Sequence, residues 1–548
     1  MPAYFPTFYF LNMKIPNPTY SQETVKRARM LLDRQLYEEA LTWLTESLQA
    51  EPNQRLIWHF FFETLAPKGN IEPILNVVQD VIMSIEDPET TLLVMAQHMQ
   101  LRGFHDEAVD IFNTILHHQP SSRKTFEELL LHQHLNGFDD DVAFAAYYEF
   151  NRRFAAPITA ASTPAVTKKI IDKPLNLGFV SRDFASGHSL KAAMAAFFVR
   201  PAGRNDRYIL YSSSPPEQQV EEFFRGSADE FSNVFALNDR ELANRIRSDQ
   251  IDVLFDFTGH MPGNRLMTYA EKPAPLILCW SGLGTSAGIE AVDYFIADDV
   301  YVPKETEEKY LENIIFFDGS SIIWCPPPRM PDTVTAPCLS SELIRFCNLN
   351  RTVKLQRTTL ELFASVLNKI PNSTMTFKDT MIDDWTIKRL SEPFISMGIA
   401  PERIDFRGKT DHYGHLQTYN EVDIALDGFP QQGGITTIEA LSMGIPVVSY
   451  NESIRPCARA GEWILKMVGV PAFSASSKQS YLEIAIELSE NRQRLDDFRK
   501  RLRPALLSSP LCNQSQFTYN FGKMLNEIWR RHCAGLKPHS FSIKELTR

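Results

Sequence analysis

Apolar residues in the first part of the chain recur at helical spacing, and the pattern repeats itself. RQLYEEALTWLTESLQAEP (34–52) aligns with RGFHDEAVDIFNTILHHQP (102–120) at an offset of 68 residues, which places Ala40 opposite Ala108. That offset is twice the ~34-residue period of tetratricopeptide-like helical hairpins. We therefore predict a helical repeat domain over residues 1–160, of the kind that usually presents a concave peptide-binding face. An ordinary helical bundle is the alternative.

Short apolar runs, each followed by a polar loop, replace the helical pattern after an Ala-, Thr- and Pro-rich linker at 155–173. PLNLGFV (174–180) leads into a polar loop and then an apolar helical stretch, and YILYSSS (208–214) and IDVLFDFTGH (251–260) are further predicted strands. Strand, loop and helix in alternation predict a doubly wound parallel sheet. We assign a first Rossmann-like α/β domain to residues 174–335.

Candidate chemistry in this first half lies in the loops. In open α/β sheets ligands bind at the carboxyl ends of the strands, and His188 and His260 each follow a predicted strand. A structural role is the alternative for both histidines. The Gly- and Ser-rich loop at 282–288, with Thr285 and Ser286, offers hydroxyls and backbone amides to an anion or a sugar. Such loops are more often simple turns, so the loop alone is a weak signal.

The second half follows the same strand, loop and helix pattern. LIRFCNLNRTVKL (343–355) is a predicted strand that ends in a polar loop carrying Asn350 and Lys354, and STMTFKD and RIDFRGK are further strands. These runs predict a second Rossmann-like domain over residues 336–510. An amphipathic helix and a tail form the last segment, 511–548.

The most informative segment is VDIALDGFPQQGGITTIEALSMGIPVVSY (422–450). An apolar strand runs into FPQQGG, and a helix begins directly after the glycines. The start of that helix offers unpaired N–H groups and a positive dipole end, which suits a diphosphate, with Thr436 and Thr437 as added hydrogen-bond donors. Glu439 can accept hydrogen bonds from ribose hydroxyls. The pattern is neither a P-loop nor a Rossmann GxGxxG.

Charge and cysteine content narrow the function classes. The net charge of −11 argues against nucleic acid as the main partner, although the basic segment after Asn491 could meet an anionic partner or form a solvated helix face. Seven cysteines without CxxC spacing argue against a disulfide framework and a zinc site, and favour a reducing, cytoplasmic location. No apolar run reaches the ~20 residues of a membrane span, and the aromatic start lacks the basic region of a signal peptide.

Several of these stretches resemble one enzyme family. VDIALDGFPQQGGITTIEALSMGIPVV resembles the nucleotide-sugar signature of glycosyltransferase family 41, which includes O-linked N-acetylglucosamine transferases and SPINDLY-type enzymes. LGFVSRDFASGHS, IDVLFDFTGHMPGNRL, KPAPLILCWSGLGTSAGIEAVDY and FCNLNRTVKL are similar to other family stretches and occur in the family's order. The resemblance covers residues 174–510 and, more loosely, the repeats. It implies a GT-B fold, and inverting, metal-independent transfer of a sugar from a nucleotide to a protein side chain without a cofactor.

The resemblance also implies roles for single residues. His188 is similar to a loop histidine proposed as general base, Lys354 to the lysine that neutralises the leaving diphosphate, and His415 to the residue that packs against the base. The nucleotide-sugar site is expected to comprise Asn350, Arg351, Lys354, His415, Gly433, Gly434, Thr436, Thr437 and Glu439, the last on the ribose. The sugar and acceptor side is expected at His260, Thr285, Ser286 and Gln431.

Two departures from the family pattern leave the sugar and the general base open. His188 lies five residues after Asp183, one more than is common in the family. Other members have different sugar-side residues at the positions of Gln431, Gln432, Gly434 and Ile435. Nucleotide binding is expected to be intact, whereas sugar identity and activity level stay open.

The resulting prediction is a protein glycosyltransferase that moves N-acetylglucosamine from UDP-N-acetylglucosamine onto Ser or Thr of a protein acceptor held by the repeats. Transfer of glucose from UDP-glucose to Asn, or of fucose from GDP-fucose, is the nearest alternative. A GT-B enzyme for small molecules and a scaffold with a decayed active site are alternatives of other classes. A decayed enzyme would fail to bind nucleotide, and a small-molecule enzyme would turn over without a protein acceptor. The acceptor and the oligomeric state stay open.

Overall fold

A computed structural model describes residues 18–54, 56–58, 60–61, 88–137, 139–184, 191–216, 222–280 and 284–546. His188, the predicted general base, lies outside the described residues. The chain divides into two compact units. Unit 1 comprises residues 1–132, 351–364 and 376–409, and unit 2 comprises residues 133–350, 365–375 and 410–548. The domain limits drawn from the sequence remain predictions.

The N-terminal region is built of helices that pack in pairs. They are α1 (Pro18–Asp33), α2 (Tyr37–Ala50), α3 (Pro88–Leu101), α4 (His105–His118), α5 (Arg123–Asn136) and α6 (Asp140–Phe150). Helix α1 packs on α2, and α3 packs on α4. The two segments aligned by the sequence repeat are α2 and α4, and each has 14 residues. Ala40 and Ala108 are fully buried at matching positions, so a small side chain lies where each helix pair approaches.

Short strands make up the sheets of the remaining chain. The first half contains β1 (Asn176–Ser181), β2 (Arg207–Ser212), β3 (Glu230–Asn233), β4 (Val253–Asp256), β5 (Leu276–Trp280), β6 (Tyr294–Asp298) and β7 (Asn313–Phe317). The second half contains β8 (Ile344–Asn348), β9 (Ser373–Lys378), β10 (Ile404–Arg407), β11 (Ile424–Leu426), β12 (Val447–Tyr450), β13 (Ser474–Ala475) and, near the C-terminus, β14 (Phe541–Ser542).

Within the described residues these strands form two sheets. The first has the order β14-β7-β6-β5-β4-β1-β2-β3, and the second has the order β10-β9-β8-β11-β12-β13. The neighbouring strands for which a register is described run parallel. In the first sheet the chain moves outward from β1 to β3 and then returns to β4 on the other side of β1. The loops after β1 and β4 therefore flank a topological switch point, where ligands bind in such sheets.

Helices connect the strands and complete the core. They are α7 (Ala156–Ala161), α8 (Lys191–Ala195), α9 (Glu222–Ser227), α10 (Asp239–Ser248), α11 (Leu266–Ala270), α12 (Arg357–Lys369), α13 (Asp384–Ser396), α14 (His412–Thr418), α15 (Ile435–Ser442), α16 (Ala460–Val468), α17 (Lys478–Glu490), α18 (Arg492–Leu507) and α19 (Gln514–Cys533). Phe179 and Phe255 of the first sheet share one apolar cluster with Phe517 and Phe521 of α19. The C-terminal helix therefore packs in the core of the first sheet.

The predicted α/β class, with two parallel sheets after a helical region, is confirmed. One expectation was wrong in part, because the predicted linker 155–173 begins as helix α7. Pro157 lies in the first turn of α7, where a proline needs no hydrogen-bonded N–H and its fixed φ suits the helix. No helix in the described ranges is long and apolar enough to span a membrane.

Candidate functional site

Two loops leave the carboxyl edge of the second sheet at neighbouring strands. Strands β8 and β11 pair in parallel, and the side-chain amide of Asn348 donates a hydrogen bond to the Leu426 carbonyl at 2.8 Å. One loop leads from β8 through Asn350, whose N–H donates to the Asn348 side chain at 3.2 Å. The other loop is DGFPQQGG, residues 427–434. These loops carry most of the residues expected to bind the sugar nucleotide.

Lys354 ends a short 3₁₀ turn, Thr352–Lys354. Its neighbours Thr352 and Leu355 are buried, whereas Lys354 is half-buried. Asp379 accepts hydrogen bonds from the Thr352 N–H at 2.7 Å and from its hydroxyl at 2.8 Å. Arg389 donates to the carbonyls of Thr352 at 2.8 Å and Leu355 at 2.7 Å. The backbone on both sides of the lysine is thus held by side chains beneath it.

Asp427 organises the glycine loop from inside. Its Oδ1 accepts hydrogen bonds from the N–H groups of Gly428 at 2.9 Å and Gly433 at 2.8 Å, and its Oδ2 accepts one from the Ser449 hydroxyl at 3.3 Å. Gly433 has no room for a side chain, since an added Cβ would lie 2.5 Å from Thr437 Oγ1. Thr437 donates that hydroxyl to the Gly433 carbonyl at 3.0 Å. The Thr437 hydroxyl therefore stabilises the loop itself.

Helix α15 begins at Ile435, directly after the loop, with an open N-terminus. Among the described residues no side chain caps it, and the first N–H groups of an α-helix have no intrahelical partner. A Cβ added at Gly434 would have no atom of the described residues within 4 Å, and Thr436 is half-exposed. Uncapped N–H groups, the positive dipole end and free space together form the geometry that binds phosphate groups.

Glu439 lies one turn further along α15 and is buried, with 10% of its side chain exposed. His412 Nε2 lies 2.7 Å from Glu439 Oε1, and His415 Nε2 lies 3.4 Å from Oε2. Burial alone would raise the pKa of the Glu439 carboxyl, but the two histidines outweigh burial and hold that pKa below its usual value. The hydrogen bond to Glu439 raises the pKa of His412. Close to the open helix start, the structure therefore places a carboxylate between two imidazoles.

Sequence reasoning found His415 and Glu439 but missed His412. The two histidines are three residues apart on α14, and side chains at that spacing lie on one face of a helix. The spacing in HYGH (412–415) is the signal that could have identified the second histidine.

The two glutamines of the glycine loop have different environments. Gln432 accepts a hydrogen bond from the Gly461 N–H at 2.6 Å and donates one to the Tyr450 carbonyl at 2.5 Å, so it braces the loop against the start of α16. Gln431 is 8% exposed, and its Oε1 has no hydrogen-bond partner in the described part of the chain. A buried acceptor without a partner costs about 1–3 kcal/mol. Gln431 is thus better suited than Gln432 to meet a ligand.

The candidates of the first half, His260, Thr285 and Ser286, are brought together and are enclosed. His260 Nε2 lies 2.8 Å from the backbone carbonyl oxygen of Ala287, in the loop after β5, and the His260 ring packs on Tyr147 of α6. Tyr147 donates its hydroxyl to Thr285 Oγ1 at 3.0 Å, and Ser286 donates to Glu312 at 2.8 Å. Burial raises the pKa of Glu312 to about 7. All three residues help to pack α6 and this loop, and their sugar or acceptor role stays a prediction.

Comparison of the sequence with known proteins identifies one enzyme family. The sequence model of glycosyl transferase family 41 matches residues 161–324 and 333–521. The probable UDP-N-acetylglucosamine–peptide N-acetylglucosaminyltransferase SPINDLY of Solanum lycopersicum is 29% identical over 426 residues, which cover 76% of this chain and 45% of that protein. The protein of that name from Oryza sativa is 27% identical, with 78% and 47% covered. This chain spans about half the length of the curated relatives it matches.

A solved structure supports the fold over nearly the whole chain. A mutant of the O-GlcNAc transferase of Thermobaculum terrenum matches with a TM-score of 0.80 at 23% identity, over 95% of this chain and 100% of that chain. The structural similarity shows a shared fold, and it confirms the predicted GT-B architecture that follows a helical region in the chain.

Proposed function

Because the chain belongs to glycosyltransferase family 41, we propose that it transfers a sugar from a nucleotide to the side chain of a protein, by inversion and without a metal ion. We favour UDP-N-acetylglucosamine as sugar donor and Ser or Thr as acceptor, because relatives are named as UDP-N-acetylglucosamine–peptide N-acetylglucosaminyltransferases. The helical repeats would hold the protein acceptor, and the chain would act in the cytoplasm.

The observation that carries the proposal is the open start of α15 next to the buried Glu439. Breaking the bond between sugar and nucleotide builds negative charge on the diphosphate. Preorganised hydrogen-bond donors aimed at developing charge are usually the largest catalytic contribution. The start of α15 has such donors, and within the described residues it has no side-chain cap and no atom within 4 Å of a Cβ added at Gly434. Glu439 is held as a carboxylate and can accept hydrogen bonds from ribose hydroxyls.

Lys354 supplies the full positive charge in this proposal. It neutralises the leaving diphosphate, while Asn350 and Arg351 assist nucleotide binding. With a lysine and a helix start as sources of positive charge, the reaction needs no divalent cation. His188 would act as general base toward the acceptor hydroxyl, a contribution typically worth ~10²–10⁴-fold.

The remaining assignments follow the resemblance. His415 packs against the nucleotide base, and Gly433, Gly434, Thr436 and Thr437 form the diphosphate loop. The sugar and acceptor side comprises Gln431, His260, Thr285 and Ser286. The assignment of Gln431 is supported by its buried Oε1, which has no hydrogen-bond partner among the residues that the structure describes.

Thermal stabilisation by nucleotides tests the proposal. The purified chain is melted with UDP, GDP, UDP-N-acetylglucosamine, UDP-glucose and GDP-fucose, each with a chelator present. A ligand at 100 times its Kd adds about 2.7 kcal/mol to stability, so a specific shift is readily seen. Stabilisation by the UDP sugars, followed by mass increments on peptides containing Ser and Thr, is the expected result. If GDP-fucose alone raised the melting temperature, the proposed donor would be GDP-fucose in place of UDP-N-acetylglucosamine. If no nucleotide raised it, the result would support a scaffold with a decayed active site.

The lysine assignment has its own test. Lys354→Ala is expected to lower turnover by ~10²–10³-fold, as removal of one charge-stabilising donor does, while the melting temperature stays unchanged. Lys537→Ala in the exposed C-terminal tail is the matched control. Normal transfer by the Lys354 variant would exclude its role. His188→Ala is expected to be less damaging, because that histidine is shifted by one position from the family pattern.

A further inference from the structure

The turn between helices α3 and α4 of the repeat region contacts the loop that carries Lys354. His105, the first residue of α4, is 8% exposed, and its Nε2 lies 3.0 Å from the carbonyl oxygen of Val353. A carbonyl can only accept, so Nε2 carries the proton and donates it. Burial lowers the pKa of His105 to about 4, so the ring is neutral at physiological pH. The residue that precedes the lysine is thus held by a histidine of the repeats.

The rest of this turn, Arg102–His105, is fitted to the elements beneath the lysine loop. The Phe104 ring stacks on Trp385 with 4.8 Å between centroids, and Trp385 donates its indole N–H to the Arg102 carbonyl at 3.1 Å. Gly103 has a positive φ of 84°, and an added Cβ would lie 2.9 Å from Arg389. Only glycine adopts this backbone readily and admits such a close approach. The contact is therefore specific in both shape and hydrogen bonding.

Together these groups hold the backbone on both sides of Lys354. Arg389 donates to the carbonyls of Thr352 and Leu355, and His105 donates to the carbonyl between them in sequence, that of Val353. His105 is itself fixed, because His132 Nε2 lies 3.1 Å from its carbonyl oxygen. The side chain of a lysine can reach its working position reliably only if its backbone does not move.

We propose that His105 is a positioning residue for Lys354, so that the helical repeats help to build the catalytic machinery in addition to holding the acceptor. This inference rests on the proposed function of Lys354. Two arguments carry it: the hydrogen bond to the residue next to the lysine, and the shape fit of the whole turn. A displacement of about 1 Å at a reacting group can cost on the order of 10²-fold in rate.

The decisive experiment compares two substitutions of His105 in the full chain. His105→Leu keeps an apolar side chain in the buried space but removes the N–H. His105→Gln places an amide N–H near the position of Nε2 and restores the hydrogen bond. Trp58→Phe is the matched control, because it removes another buried N–H of unit 1 that donates to a backbone carbonyl, that of Pro52 at 2.7 Å.

We expect His105→Leu to lower kcat at least tenfold, with the KM for the sugar nucleotide changed less than about threefold, as for loss of an interaction used in the transition state. His105→Gln should recover most of kcat, and Trp58→Phe should keep it. In a double-mutant cycle, His105→Leu should cost little in the Lys354→Ala background, since interacting residues are not additive. Equal kcat in the Leu and wild-type proteins, or no recovery with Gln, would overturn the proposal.

A second measurement does not depend on activity. Amide hydrogen exchange of the segment 351–356 should be about tenfold faster in His105→Leu than in wild type or Trp58→Phe, because local opening there loses a restraint. Faster exchange without any transfer activity in the wild-type protein would contradict the proposed function but support the contact as a restraint. Unchanged exchange together with normal transfer would refute the positioning role while leaving the proposed function intact.

Discussion

Adding one methyl group to the glycine loop should distinguish its two neighbouring glycines. At Gly433 an added Cβ would lie 2.5 Å from Thr437 Oγ1, 2.8 Å from Thr436 Oγ1 and 3.2 Å from Asp427 Oδ1. Non-bonded heavy atoms prefer separations of about 3.5 Å or more, so the closest contact is short by about 1 Å. At Gly434 the same atom would meet no atom of the described part of the chain within 4 Å.

The clash at Gly433 can be relieved in two ways, and both cost stability. If Thr437 rotates, it loses the hydrogen bond to the Gly433 carbonyl, and if the loop moves, the bond to Asp427 lengthens. A lost hydrogen bond costs about 0.5–1.5 kcal/mol and overpacking about 1–3 kcal/mol. We therefore expect Gly433→Ala to destabilise the protein by about 3 kcal/mol.

Thermal melting and UDP titration of both variants provide the assay. Gly433 lies in unit 2, and for a unit of more than about 300 residues a loss of about 3 kcal/mol lowers the melting temperature by roughly 4 °C. The free energy of unfolding of Gly434→Ala should stay within about 0.5 kcal/mol of the wild-type value, as for substitutions without steric conflict. It should bind UDP at least about tenfold more weakly, a loss of 1.4 kcal/mol, because the methyl group occupies the space at the helix start. Unchanged stability of Gly433→Ala would refute the packing described for the loop, and unchanged UDP affinity of Gly434→Ala would refute the phosphate site.

Two further predictions concern charged contacts in unit 2. His412→Gln should lower the melting temperature at pH 6 more than at pH 9. The reason is that Glu439 raises the pKa of His412, and the stability from this pair is present below the ordinary histidine pKa and is lost as pH rises through the raised value. A difference in melting temperature that does not depend on pH would contradict the ion pair. Arg455 is 2% exposed and lies 2.7 Å from Asp140, so Arg455→Ala should cost about 3–5 kcal/mol in a denaturant titration. Arg494→Ala, a surface pair with Glu487, should cost about 1 kcal/mol or less and serves as the control; equal losses would refute the reasoning.

Local patterns predicted the elements of the donor loop closely. VDIALD is apolar and short, FPQQGG cannot continue a strand, and the Glu, Ala and Leu of ITTIEALS are good helix formers although its Ile and Thr residues are not. Strand β11, the loop and α15 lie where the sequence placed them. The repeat could also be predicted from the sequence, because Ala40 and Ala108 are buried where two helices that are neighbours in the chain pack together. Patterns of this kind depend on residues that are close in sequence, so they can be recognised without knowledge of the fold.

Side-chain roles inside the loop were less predictable. Thr437 was expected to donate to a diphosphate, but its hydroxyl donates to the Gly433 carbonyl. Of the two adjacent glutamines, Gln432 accepts a hydrogen bond from the first turn of α16, whereas Gln431 Oε1 has no hydrogen-bond partner within the described ranges. The direction of each side chain depends on loop backbone angles and on what packs from other elements, and neither is encoded in residue type or spacing.

The sequence by itself determined the helical repeats, the two parallel sheets, the family and most residues of the proposed nucleotide site, since each follows from short-range periodicity or from an ordered set of motifs. Only the tertiary structure decided that His412 joins His415 on Glu439, and that His105 reaches the carbonyl of Val353, 248 residues away along the chain. Contacts at such separations form because folding packs unrelated surfaces together and must satisfy their buried polar groups. No pattern within either segment records which partner it will meet.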